Sequence, residues 1–117
     1  DLGFEVLTAN ELHEIGIAEA GKRIRERVKD AKVFLSFDID FVDPSCAPGT
    51  GTIEIGGFTG YESLKLVREM KDLNFVGMDL VEVLPTIDPA GITAYMAANV
   101  MHEFISILAL QRKLGKR

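Results

Sequence analysis

The sequence predicts an α/β fold in which a parallel β-sheet is flanked by helices. Three observations predict it. Short apolar runs alternate with segments of helical periodicity along the whole chain. The two clearest runs, Lys32–Asp40 and Phe75–Val83, are mostly apolar rather than alternating, as strands of parallel sheets buried on both faces are. Each run is followed by a helical stretch, the grammar of strand–helix–strand units with right-handed crossovers.

Phe4–Thr8 is a short strand candidate. From Ile17 to Lys29 the apolar residues Ile17, Ala20, Ile24 and Val28 fall on one stripe among Lys, Arg and Glu, which predicts an amphipathic helix ended by Asp30. Lys32–Asp40 is the strongest strand, expected to be covered on both faces. A Gly/Pro-rich loop runs from Phe41 to Phe58. The helix expected over Tyr61–Lys71 turns Leu64, Val67 and Met70 inward, with Thr59 as N-cap and Glu62 three residues on, as in a capping box. Phe75–Val83 is a third strand, and a last helix spans Ile92–Lys113. The apolar stretch Ile92–Leu110 is interrupted by Asn99, His102 and Glu103, so it reads as a buried helix and not a membrane span.

At 117 residues, 47% hydrophobic and 26% charged, the composition is that of a globular chain forming one domain or part of one. The net charge of −5 argues against a nucleic-acid surface, which needs clustered Lys and Arg. The basic groups at Lys22–Arg27 and Arg112–Arg117 read as solvated helix faces and ends. The single Cys46 excludes an internal disulfide and fits a reducing compartment, here expected to be the cytoplasm. An opening Asp1-Leu2-Gly3-Phe4 is neither a start methionine nor a signal peptide, so the chain is expected to be one piece of a longer or divided protein.

In parallel α/β sheets ligands bind at the carboxyl ends of the strands. Asp38 and Asp40 stand at the end of the strongest run. On an extended strand, residues i and i+2 point to the same side about 6.5–7 Å apart, within reach of two cations about 3.5–4 Å apart. Oxygen donors suit Mn²⁺ or Mg²⁺, and no nearby thiolates favour zinc. The plain alternative is that the two aspartates cap a strand and start a turn. Aspartate-nucleophile phosphatases and metal-dependent glycosyltransferases also place Asp-x-Asp at a strand end. The former usually carry Thr where Val42 stands, and the latter lack a Gly-rich run after the pair.

The run Ser36-Phe-Asp-Ile-Asp-Phe-Val-Asp-Pro-Ser-Cys-Ala-Pro-Gly-Thr-Gly-Thr-Ile-Glu-Ile-Gly-Gly57 closely resembles the last signature of the ureohydrolases, the agmatinase–arginase family. It shares the Asp38-Ile-Asp40 strand end, Asp43-Pro44, the Ala47–Thr52 turn and Gly56-Gly57. Gly49 is closer to agmatinases, since arginases tend to have Ala there, and Ile53 stands where Pro is common. Gly77-Met-Asp-Leu-Val-Glu-Val-Leu-Pro85 resembles a second family segment.

The resemblance implies the three-layer α/β/α fold of the ureohydrolases, with residues 1–117 as the C-terminal part of one such domain. It implies hydrolysis of a guanidino compound, agmatine first and then arginine or guanidinobutyrate, to urea and an amine. Two Mn²⁺ ions that lower the pKa of a shared water would serve the complete site. Asp38 and Asp40 would be metal ligands, with Asp38 bridging and catalytic. Glu82, catalytic and substrate-binding, would hold the guanidinium through charge-assisted hydrogen bonds. Gly49, Gly51, Gly56 and Gly57 would allow loop conformations closed to other residues. Asp79, inside an apolar strand, is expected to have a structural partner.

The family's other metal ligands lie in Gly-Gly-x-His and Asp-Ala-His-x-Asp motifs, and neither occurs here. Of the two histidines, His13 is expected to be exposed and His102 structural, and Cys46 fills the loop. The chain alone is therefore expected to be inactive and to need an N-terminal half as partner, with a homo-oligomer, trimer or hexamer, in the complete protein. No membrane or nucleic-acid partner is expected. A non-catalytic pseudoenzyme or assembly half is the competing reading.

Overall fold

The computed structural model describes residues 2–115. Its regular elements are helix α1 (Ala9–Val28), strand β1 (Lys32–Asp38), helix α2 (Gly60–Glu69), strand β2 (Asn74–Val81) and helix α3 (Ile92–Lys113). Single 3₁₀ turns occupy Ile39–Phe41, Pro85–Ile87 and Pro89–Gly91.

The expected α/β fold is present: β1 and β2 pair in parallel, joined through α2. The register runs Val33↔Phe75, then Phe34↔Gly77 through Asp38↔Val81, with an irregularity that leaves Val76 unmatched. Val33, Leu35 and Phe37 of β1, with Phe75, Met78 and Leu80 of β2, form or adjoin the main core. Helices cover this side. α2 packs against both α1 and α3, and Phe75 meets Phe104 of α3 edge-on at 5.0 Å.

Several expectations about the elements are corrected. Phe4–Thr8 forms no strand: among the described residues it has no partner strand, and Phe4 and Val6 are exposed. Thr8 instead starts α1 with a full capping box, its hydroxyl accepting from the Glu11 N–H while the Glu11 carboxylate accepts from the Thr8 N–H. α1 therefore begins eight residues earlier than its apolar stripe indicates, and bends at Gly16, whose φ of 77° breaks the helical path.

The strands are covered on one face only. Phe34 is 59% exposed, Ser36 and Asp38 follow it on the same side, and Asp79 lies opposite Ser36 without a side-chain partner among the described residues. β1 also stops at Asp38 and not at Asp40, and β2 runs Asn74–Val81 rather than Phe75–Val83.

The α2 cap holds as expected, with Thr59 and Glu62 bonded reciprocally and Val67 and Met70 buried. α3 has the expected bounds but is buried only along Thr93, Ala97, Val100, Phe104, Ile107 and Gln111, with Tyr95 and Ile105 exposed. By length and composition alone the segment Pro89–Lys113 could cross a membrane. His102 is exposed on α3 rather than built into the core.

Candidate metal and guanidine site

The carboxyl end of β1 turns because of Asp38. Its Oδ1 accepts the backbone N–H of Asp40 at 2.9 Å, which closes a local turn and starts the 3₁₀ helix Ile39–Phe41. Asp38 and Asp40 are therefore not two same-side positions of one extended strand, as their spacing suggested. Asp38 ends the strand and Asp40 sits on the turn, flanking Ile39, which is fully buried. Both Asp40 oxygens are held by hydroxyls, Oδ1 by Thr50 and Oδ2 by Thr52.

Those threonines are delivered by a loop that closes on itself. Val42 and Phe58 bridge in parallel, the Phe58 N–H donates to Phe41, and the Asp43 N–H donates to Phe58. Asp43 ties the interior: its carboxylate accepts from the Ser45 N–H at 2.9 Å and the Gly56 N–H at 3.0 Å. Its carbonyl accepts from Cys46 and Ala47. The Ser45 side chain first, then the Ser45 and Gly56 N–H groups, hold the Asp43 carboxyl below its ordinary pKa, against a smaller opposing effect of burial.

Of the four loop glycines, two answer to close approach. A Cβ on Gly57 would stand 2.7 Å from the Asp43 nitrogen and 2.9 Å from the Phe41 oxygen, and one on Gly49 would strike Asp88. Gly56 has φ 87°, whereas Gly51 faces open space.

An aromatic stack braces the same loop. Phe58 lies between Phe41, 4.5 Å away, and the His13 ring, 4.2 Å away, while His13 Nε2 donates to the Gly56 carbonyl at 2.8 Å. His13, exposed as expected, thus has a loop-holding contact that its polar surroundings in sequence do not suggest.

At the end of β2, Glu82 takes φ 69°, a left-handed setting uncommon for a residue with a side chain. The loop clamps the backbone around it: Thr50 bridges Val83, the Leu84 N–H donates to the Gly49 carbonyl at 2.8 Å, and the Thr50 hydroxyl lies 3.0 Å from the Glu82 carbonyl. The Gly49 N–H donates to Thr93 Oγ1 at 2.7 Å, and Asp88 accepts from the Thr93 and Ala94 N–H groups at the start of α3. Burial pushes the Asp88 carboxyl up, but those N–H groups and the Thr93 hydroxyl outweigh it and leave the pKa below its ordinary value. The Glu82 side chain is exposed and makes no hydrogen bond among the described residues.

The site thus joins Asp38 and Asp40 at one strand end to Glu82 at the next, through Thr50. Sequence reasoning missed Thr50, Thr52 and Asp88. Thr50 and Thr52 lie in the Ala47–Thr52 turn of the resemblance without a role being given to them, and Asp88 stands in an Asp-Pro pair before a helical run. The donor set is carboxylate and hydroxyl oxygen, which fits a hard divalent cation such as Mn²⁺ in kind. It falls short in number, because no three His, Cys, Asp or Glu residues gather to hold an ion among the described residues.

A parallel α/β sheet with polar side chains gathered at its strand carboxyl ends defines the class of α/β folds that bind their ligands there. The particular member follows from comparison: the arginase family model matches residues 1–106, and the chain belongs to the arginase family.

It is 46% identical over 112 residues to an agmatinase of Enterobacter sp. (strain 638), covering 96% of this chain and 37% of that protein. The structure is similar to that of a hypothetical agmatinase from Burkholderia thailandensis, with a TM-score of 0.92 and 41% identity over 99% of this chain and 36% of that one. It is also similar to the proclavaminate amidino hydrolase of Streptomyces clavuligerus, with a TM-score of 0.87 and 43% identity over 90% of this chain and 36% of that one. The chain spans little more than a third of the length of these relatives.

Proposed function

We propose that this chain carries one side of a manganese-dependent ureohydrolase site, which hydrolyses a guanidino compound to urea and an amine. Agmatine, giving putrescine and urea, is the first substrate. The observation that carries the reading is the pairing of two strand ends: Asp38 and Asp40 on β1 with Glu82 on β2, locked together by one loop. Agmatinases among the relatives support the substrate, as does Gly49, where Asp88 leaves no room for the Ala more usual in arginases.

Asp38 and Asp40 would hold the metals, and the Thr50 and Thr52 hydroxyls would fix the Asp40 carboxylate plane. The metal pair, when bound, supplies a water-derived nucleophile at neutral pH. Glu82, exposed and unengaged, would accept the guanidinium N–H groups and set its carbon toward the metal side. Asp38 is the proposed proton carrier to the leaving amine.

The remaining ligands would come from a complementary N-terminal part, also the proposed cover for the open face of the sheet. A cytoplasmic homo-oligomer, trimer or hexamer, is the proposed state of the complete protein.

The test is urea release with Mn²⁺ on agmatine, arginine and guanidinobutyrate. It is run on this chain and on the chain joined to the upstream part of the Enterobacter agmatinase. Urea from the joined protein alone, fastest with agmatine, is the expected result. Urea from the isolated chain contradicts the half-site, and none from a joined, manganese-loaded protein favours a non-catalytic module.

A further inference from the structure

Thr50 is 1% exposed, and its hydroxyl lies against two acceptors, Asp40 Oδ1 and the Glu82 carbonyl. A threonine hydroxyl has one hydrogen to donate. A carboxylate with its charge unshared is the stronger acceptor, so the hydrogen goes to Asp40. The Glu82 carbonyl, 3.0 Å away, is then left facing the hydroxyl oxygen. This carbonyl belongs to the residue held in the left-handed region.

We propose that Thr50 is a positioning residue that couples a cation at Asp40 to the backbone of Glu82, a step that rests on the metal and guanidinium roles proposed above. A cation that shares the Asp40 charge makes Oδ1 a weaker acceptor, and the Thr50 hydrogen turns to the Glu82 carbonyl. Asp40 stays held at Oδ2 by Thr52. The Thr50–Val83 bridge and the Leu84–Gly49 hydrogen bond keep the two backbones in place, so only the O–H bond has to rotate. Glu82 then gains a hydrogen bond at its carbonyl as the metal side fills, which stiffens the backbone that carries its carboxylate.

The test is carbon-detected NMR, with ¹³C-labelled carbonyls, on the chain joined to the upstream part of the Enterobacter agmatinase. Mg²⁺ serves as the diamagnetic cation, and Asp40→Asn removes the charge without any cation. The expected result is a downfield move of the Glu82 carbonyl resonance in both arms, kept in Thr50→Ser and lost in Thr50→Val. A Glu82 resonance that stands still in Asp40→Asn, or moves equally with Thr50→Val, overturns the coupling. An Asp40 carboxyl resonance indifferent to Mg²⁺ in the joined protein contradicts the metal role of Asp40, and the Asp40→Asn arm then decides the coupling by itself.

Discussion

The two strand ends of the site are built in opposite ways. At the end of β1, both Asp40 oxygens and both Asp43 oxygens are engaged by the chain's own hydroxyls and N–H groups. At the end of β2, the Glu82 side chain engages nothing among the described residues, while its backbone sits in a left-handed setting. The contrast teaches a division of labour. On the proposed roles, Asp40, the carboxylate assigned to a metal, is held before the ion arrives, since preorganised ligands lose little freedom on binding. Glu82, the carboxylate assigned to the substrate, is left open, and the cost of its placement is carried by the backbone.

The comparison can be broken most forcefully at Gly57. A Cβ there meets backbone atoms of Phe41 and Asp43, so Gly57→Ala should cost about 1–3 kcal/mol in denaturant unfolding. A neutral result would mean that the β1 loop is softer than its bonding indicates.

Glu82→Gly probes the other end with the opposite sign. Relief of the left-handed setting, worth about 1–2 kcal/mol, exceeds the added freedom of an unfolded glycine, about 0.5–1 kcal/mol. The variant should therefore be up to about 1 kcal/mol more stable. Destabilisation by that amount would show that Glu82 carries no backbone strain.

The smallest effect concerns pH. Because the folded Asp43 pKa lies below its unfolded value, its contribution is present above the ordinary carboxyl range, about 3.9. It is lost as pH falls through the lowered folded value. The protection of the Ser45 and Gly56 amides, taken relative to the intrinsic exchange rate at each pH, should be level above that range and fall on acidification. Asp43→Asn should flatten the response.

How much of this was legible in the sequence depends on the kind of signal. The Thr59-x-x-Glu62 capping box and the bounds of α3 were readable, because each rests on contacts between residues near in sequence. The same signature at Thr8-x-x-Glu11 was overlooked in favour of a strand, since Phe4, Val6 and Leu7 look like buried residues. An apolar run reports the burial a segment is suited to, and this chain covers only one face of its sheet, so Phe34 and Val76 remain exposed.

In the site, the residue types and their loop were legible as a resemblance, but their geometry was not. The turn after Asp38 depends on a side chain capturing a backbone N–H two residues on, where strand propensity continues the strand. Thr50 reaches Glu82 across 32 residues, a contact that no local pattern encodes.

The most direct test of the central claim compares Glu82→Gln with Asp40→Asn in the chain joined to an agmatinase N-terminal part, with KM and bound manganese measured together. Removal of the charged acceptor, worth about 1.5–3 kcal/mol, should raise the KM for agmatine about 10- to 150-fold in Glu82→Gln with the manganese content unchanged. Asp40→Asn should instead lose manganese. An unchanged KM in Glu82→Gln, or full manganese in Asp40→Asn, would contradict the assignment of the metal to one strand end and the substrate to the other.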